Sequence, residues 1–111
     1  MNIIKVNRWS EIPQNYTGLV EWDDGTKAWT KNGKDHREDG PSYIRNDGHK
    51  QWWLDGEYIW NSESTLDLTN QIILSKSPHP NYPTIQIWRI LDSDEIYEQI
   101  IFPEMKEFIK E

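Results

Sequence analysis

His36-Arg37-Glu38-Asp39 is the densest run of chemically capable side chains in the sequence. A histidine beside two carboxylates has the donor types to bind zinc or to activate water. A small hydrolase or metal site built around His36 and Asp39 would use them in that way. The run leads directly into Gly40-Pro41, and a turn there gives each residue a local task instead. His36 and Asp39 then bond backbone groups, and Arg37 pairs with a neighbouring acid. The turn reading is preferred, because metal ligands converge from separate elements and neither His49 nor His79 stands at a ligand-like spacing. No Gly-rich phosphate loop, nucleophile elbow or His-Glu-x-x-His motif is present. The absence of cysteine removes thiolate chemistry and disulfides. The expectation is a protein that is not an enzyme, with no metal and no cofactor.

Binding chemistry is better represented. The chain holds seven Trp, five Tyr and two Phe, and large aromatics dominate both cores and interfaces. Trp52 and Trp53 are adjacent, so within a strand they point to opposite faces. If Trp52 is buried, Trp53 is either covered by the C-terminal half or exposed as a binding aromatic, and Tyr43 is a second candidate. Asp92, Asp94, Glu95 and Glu98 form an acidic group whose spacing does not match an EF-hand calcium loop. The candidate interaction residues are therefore Trp53, Tyr43, His36, Arg37, Asp92, Asp94, Glu95 and Glu98.

The elements that must position these residues announce themselves by an echo. Asp24-Gly25 recurs as Asp47-Gly48, Lys27 as Lys50, Trp29 as Trp52 and Gly33 as Gly56, all at an offset of 23 residues. Of the 16 aligned pairs from Val20/Tyr43 to Asp35/Tyr58, five are identical. Such periodicity marks a supersecondary unit stacked on its copy. Asp-Gly and Asn-Gly pairs suit the positive φ of tight hairpin turns. Turn signals every 8–11 residues between aromatic-rich runs predict an antiparallel meander over residues 15–60, preceded by a short strand at 2–7. Trp29 and Trp52 should then share one face as a repeated core layer.

The C-terminal half, 61–111, reads differently. Leu66, Leu68, Ile72, Ile73 and Leu74 lie at helical spacing after Ser64 and before Pro78, which predicts a capping helix over 65–76. Residues 84–91 and 95–102 can pair through a Ser93-Asp94 turn. Leu91 then faces Ile96, Arg89 faces Glu98, Ile87 faces Ile100 and Ile85 faces Phe102. The other face sets Ile90 against Tyr97, Trp88 against Gln99 and Gln86 against Ile101. Its rival is a helix over 94–102 capped by Ser93. Pro103 opens a short last helix with Met105, Phe108 and Ile109 as its buried stripe. The fold class is therefore α+β: a β-meander with a capping helix, a second hairpin and a C-terminal helix, in one domain, 1–111.

The formal charge is −7, and residues 92–111 alone carry seven acids against two bases. Nucleic acid is bound by positive surfaces, so direct binding to it is not expected. Anionic membranes are disfavoured for the same reason. No run approaches the roughly 20 apolar residues of a membrane span, and the N-terminus lacks the pattern of a signal peptide. A cytoplasmic location is the expectation. An unprotected edge strand would let two copies pair as a homodimer.

Tyr16-x-Gly18-x-x-x-Trp22 with Gly33-Lys34-x-His36, and His36-Arg37-Glu38-Asp39-Gly40-Pro41-Ser42 with Asp47-Gly48 and Trp52-Trp53-Leu54-Asp55-Gly56, resemble MORN repeats (membrane occupation and recognition nexus). The likeness is to the divergent, MORN-like form associated with phage, bacterial and large-virus proteins. It covers residues 15–58, and Glu57-Tyr58-Ile59 departs from the Lys-x-His of the repeat. The resemblance implies 23-residue β-hairpin units and an interaction surface. The function expected is a non-enzymatic protein–protein interaction module that meets a basic partner surface, in one version a phage-type inhibitor of a host defence protein. The alternative is a lipid- or glycan-binding module using exposed aromatics.

Overall fold

Four tight turns organise the first half of the chain, and the backbone repeats at 23 residues as the sequence does. In a computed structural model describing Met1–Glu111, Asn32 and Asp55 take φ of 52° and 50°. Gly33 and Gly56, which follow them, take 79° and 83°. Two successive positive φ values are the signature of a turn that matches the twist of a β-hairpin. Each is followed by a return strand.

The chain divides into two compact units, Met1–Glu63 and Ser64–Glu111. The first contains β1 (Ile3–Val6), β2 (Gly18–Trp22), β3 (Lys27–Lys31), β4 (Lys34–Asp35), β5 (Tyr43–Ile44), β6 (Lys50–Leu54) and β7 (Glu57–Asn61). They form one sheet in the order β1-β2-β3-β5-β6-β7, with β4 also paired to β3. The meander is antiparallel from β2 onward, but β1 joins β2 in parallel, with Ile3 opposite Leu19 and Val6 opposite Trp22. The 3-10 turn Trp9–Glu11 lies in the long connection between them. Gly18, at φ 146°, permits this join: a Cβ there would lie 2.5 Å from the Asn2 carbonyl oxygen, which accepts the Leu19 N–H.

The register sorts the side chains. Val20, Ala28, Tyr43, Gln51 and Asn61 form one row across β2, β3, β5, β6 and β7. Trp29 and Trp52 lie on the opposite face, as the echo predicts. They do not share equal interiors, however. Trp52 is buried opposite Trp60, whereas Trp29 is half-buried with the Arg37 guanidinium 3.9 Å from its ring centroid. The repeated core layer is thus complete at one copy and capped by a cation at the other. Val6, Leu19, Val20, Ala28, Trp52, Leu54 and Trp60 are the buried apolar side chains of this unit. Full burial of such an aliphatic side chain is worth about 1.5–3 kcal/mol.

The second unit overturns the α+β expectation, because it too is built of strands. It contains β8 (Leu66–Asp67), β9 (Ile72–Pro78), β10 (Gln86–Asp92), β11 (Glu95–Ile101) and β12 (Ile109–Lys110). There is no capping helix over 65–76. The Asp67 carboxylate takes the Thr69 N–H at 3.1 Å and the Thr69 hydroxyl at 2.8 Å, closing a local turn in place of a helical one. The β-branched Ile72-Ile73 pair then enters β9, which pairs antiparallel with β10. Cross-strand pairing outweighs an apolar stripe that suits either period. The last helix is also absent as an α-helix. Pro103–Phe108 is a 3-10 segment ending in β12, which pairs in parallel with β8. Met105 is fully buried, but Phe108 and Ile109 are only half-buried.

The hairpin between β10 and β11 forms in the register read from the sequence, from Gln86 opposite Ile101 to Asp92 opposite Glu95. The helix over 94–102 does not form, and Ser93 turns the chain at φ 57°. The sheet order is β11-β10-β9. Its buried face carries Trp88, Ile90 and Ile101. The molecule is therefore a mostly β protein rich in hairpins, with two short 3-10 segments and no α-helix. No helix is long and apolar enough to cross a membrane.

Candidate functional site

The strongest site geometry lies on the outer face of β5, β6 and β7. A residue and its second neighbour along a strand share a face, so Gln51 and Trp53 stand side by side on β6. The Trp53 indole N–H donates to Gln51 Oε1 at 2.8 Å. The Gln51 amide nitrogen meets His49 Nε2 at 3.3 Å, and His49 Nδ1 meets Glu63 Oε1 at 3.0 Å. The Glu63 backbone N–H donates to Asn61 Oδ1 at 2.8 Å, and the Asn61 amide donates to the Tyr58 hydroxyl. Tyr58 closes the loop by an edge contact with Trp53, ring centroids 5.6 Å apart. Six residues thus form one circuit, closed through the Glu63 backbone N–H.

The circuit fixes the proton on His49. Its Nε2 faces an amide donor and must accept, so its Nδ1 carries the hydrogen toward Glu63. Both ring nitrogens are engaged. The arrangement holds two aromatic rings in set orientations. Trp53 is half-buried and Tyr58 is 47% exposed, so neither the covered nor the fully exposed alternative for Trp53 describes it. Tyr43 is half-buried in the adjoining row. Further along the face Trp22 receives the edge of Trp9 at a centroid distance of 4.7 Å, and Trp9 is 64% exposed. A hollow of about 150 Å³ there is lined by Trp9, Trp22, Asp24, Thr26 and Tyr43.

The His36 run has a different task. His36 is buried, and its Nδ1 accepts the Asp55 backbone N–H at 2.9 Å. Its Nε2 lies 3.3 Å from Glu38 Oε2. The Asp55 carboxylate also approaches Nδ1 at 3.3 Å. The Arg37 N–H donates to the Trp53 carbonyl at 3.3 Å and the Gly56 N–H to the Asp35 carbonyl at 2.9 Å. The segment after the first hairpin is therefore laced to the turn of the second, with the imidazole as a buried rivet. Arg37 donates to Asp39 at 2.9 Å and to the Pro41 carbonyl at 3.2 Å. No group of three or more His, Asp or Glu side chains is placed to hold a metal ion.

Asp92, Asp94, Glu95 and Glu98 are all exposed on the β10–β11 hairpin of the second unit. The structure pairs Asp92 with Glu95 beside Asp94 at the β10–β11 turn, sets Glu98 opposite Arg89 on the other face of that hairpin, and puts Tyr43 opposite Gln51, on the sheet face that carries Trp53. It places His36 and Arg37 in the joint between hairpins. Sequence reasoning missed His49, Gln51, Tyr58, Asn61 and Glu63. The signal available was the Gln-x-Trp spacing, which occurs twice: Trp88 Nε1 also donates to Gln86 Oε1, at 2.9 Å. In that second case Lys76 Nζ lies 4.1 Å from the Trp88 ring centroid, beside a hollow of about 300 Å³ that Lys106 also lines.

Compared with known protein families, with curated protein sequences and with solved structures, the chain gives no match.

Proposed function

We propose that this chain is a non-enzymatic, MORN-like binding module that docks another protein through the outer face of β5–β7. The observation that carries the reading is the hydrogen-bonded circuit that holds Trp53 and Tyr58 in place while leaving both partly exposed. Aromatic anchors dominate binding energy at interface centres. Rings already locked in the free protein lose little further freedom on binding. The repeat assignment is supported by the matched φ values at Asn32/Asp55 and Gly33/Gly56. An enzyme is the weaker reading, because both nitrogens of His36 and of His49 already have partners. The exposed acids Asp92, Asp94, Glu95 and Glu98 favour a partner with a basic surface, since opposite charge accelerates encounter.

The test places a photo-crosslinking phenylalanine at position 58 and captures partners in the native host. One protein should be captured, and its affinity for the purified chain should fall about thirtyfold or more with Trp53→Ala. The Asp94→Asn/Glu95→Gln variant should slow association only at low salt. Capture unaffected by Trp53→Ala overturns the reading. Trp53-dependent binding to a glycan array or to lipid vesicles would move the function to the ligand-binding alternative.

A further inference from the structure

A hollow of about 480 Å³ lies between the β1–β2 connection and the Asn32-Gly33 turn, and it shares no residue with the Trp53 circuit. Its volume falls in the range of small-ligand sites, about 300–1,000 Å³. Trp9, Ile12 and Pro13 give it an apolar wall. Thr30 and Asp35, cross-strand partners on β3 and β4, line it from the sheet.

Its walls are held in place by the chain itself. The Glu11 carboxylate takes the Asn7 and Arg8 N–H groups, each at 3.0 Å, and the Ile12 N–H donates to the Trp9 carbonyl at 3.1 Å. These bonds fix the turn that carries the exposed Trp9 ring. The Tyr16 carbonyl accepts the Gly33 N–H and the Thr30 hydroxyl, both at 2.9 Å. Asn15, at φ 57°, stands so near the turn that a Cβ on Gly33 would lie 3.2 Å from its Cα.

Asp35 is the group this framework does not use. It is half-buried, its carboxylate makes no hydrogen bond or ion pair within the chain, and burial pushes its pKa up with nothing to offset the shift. Lys34 also lines the hollow, but its stem lies along Gly56 and its ammonium does not pair with Asp35. The side-chain amides of Gln14 and Asn15, on the hollow's rim, make no hydrogen bond within the chain either. A desolvated carboxylate without a partner is costly, and a cation that brings its own donors relieves that cost.

We infer that this hollow receives an arginine side chain of a protein partner. A guanidinium offers donors to the Asp35 carboxylate and to the amide oxygens of Gln14 and Asn15 at once. Its flat face stacks on an indole such as Trp9. Its methylene stem suits the wall of Ile12 and Pro13. A lysine ammonium is a point charge without a flat face and uses fewer of these groups. An anion would meet the Asp35 charge. The net charge of −7 draws a basic partner toward the chain. The inference stands on this hollow and not on the docking face of β5–β7.

Nuclear magnetic resonance titration of the ¹⁵N-labelled whole chain with N-acetyl-L-arginine methylamide tests it. Saturable shifts should appear at the Trp9 indole N–H and at the Asn15 and Gly33 amides, with a Kd on the order of 1 mM. The citrulline analogue keeps the shape and loses the charge, and it should bind about tenfold more weakly or worse, with the lysine analogue in between. Trp9→Ala should weaken binding about fivefold, and Asp35→Asn should abolish saturation. Asp35→Asn should melt no lower than the wild type, because it removes an unpaired charge. Trp53→Ala should bind the arginine probe unchanged, so failure of this site and failure of the β5–β7 face are read separately. Five results would each overturn the inference. They are no saturable shift at these positions up to about 100 mM probe, citrulline or lysine binding equal to arginine, saturation by maltose in place of arginine, a lower melting point for Asp35→Asn, and loss of arginine binding in Trp53→Ala.

Discussion

His36 shows how a residue with catalytic credentials is spent on structure. Its ring accepts the Asp55 backbone N–H from inside a nearly closed environment, 5% exposed. His36→Ala leaves that donor without its acceptor, at a cost of about 1–3 kcal/mol. Urea unfolding should show a lower midpoint of that size, with the slope unchanged. Asp47 offers a pH test. The Arg45 side chain, bonding both carboxylate oxygens at 2.9 Å, and the His49 N–H hold its pKa down to about 2. A carboxylate lowered in the folded state stabilises above its unfolded value, near 3.9. That advantage is lost as pH falls through about 2. The wild type should therefore lose its thermal advantage over Asp47→Asn between about pH 4 and pH 2. A constant difference across that window would show that Arg45 does not stabilise the carboxylate.

At the scale of elements, glycine positions separate turn chemistry from strand joining. Gly18→Ala meets both an unfavourable φ and the Asn2 carbonyl, 2.5 Å from the new Cβ. Gly48→Ala, at φ 94°, has no atom within 4 Å of the added Cβ. The second substitution should cost the left-handed penalty alone, about 1–2 kcal/mol. The first should cost more and detach β1, seen as rapid amide exchange at Leu19, whose N–H bonds Asn2. Equal effects of the two would show that the β1 join is not held at Gly18. The absent helix over 65–76 belongs to this scale too. Leu66, Leu68, Ile72 and Ile73 satisfy a helical stripe, and Ile72 and Ile73 serve equally as strand residues once β10 offers a partner. A single stretch of sequence does not contain that partner. The β10–β11 hairpin was legible because both strands and their turn lie within 16 contiguous residues, and every cross-strand pair could be checked.

Across the whole molecule, pairing determines which parts resist opening. β10 is bonded on both sides along its length, whereas β8 and β12 have two residues each. Native-state exchange should therefore be slowest at β10 and fastest at β8 and β12 within the second unit. Exchange in β10 as fast as in β12 would mean the three-stranded sheet is not a cooperative unit. The charge of −7 also acts at this scale, since it favours basic partners and opposes any self-association that aligns the acidic hairpin tips.

By itself the sequence determined the local geometry: the hairpin turns at 23-residue spacing, the registry of β10 with β11, and the lack of cysteine chemistry. These depend on steric limits at single residues and on neighbours close along the chain. Only the tertiary structure decided that β1 runs parallel to β2, that 72–78 is a strand, that Trp29 is capped by Arg37 while Trp52 is enclosed, and that His49, Gln51, Trp53, Tyr58, Asn61 and Glu63 close into one circuit. Each of these rests on a partner supplied by another segment. A side chain's own chemistry does not say which segment will arrive beside it.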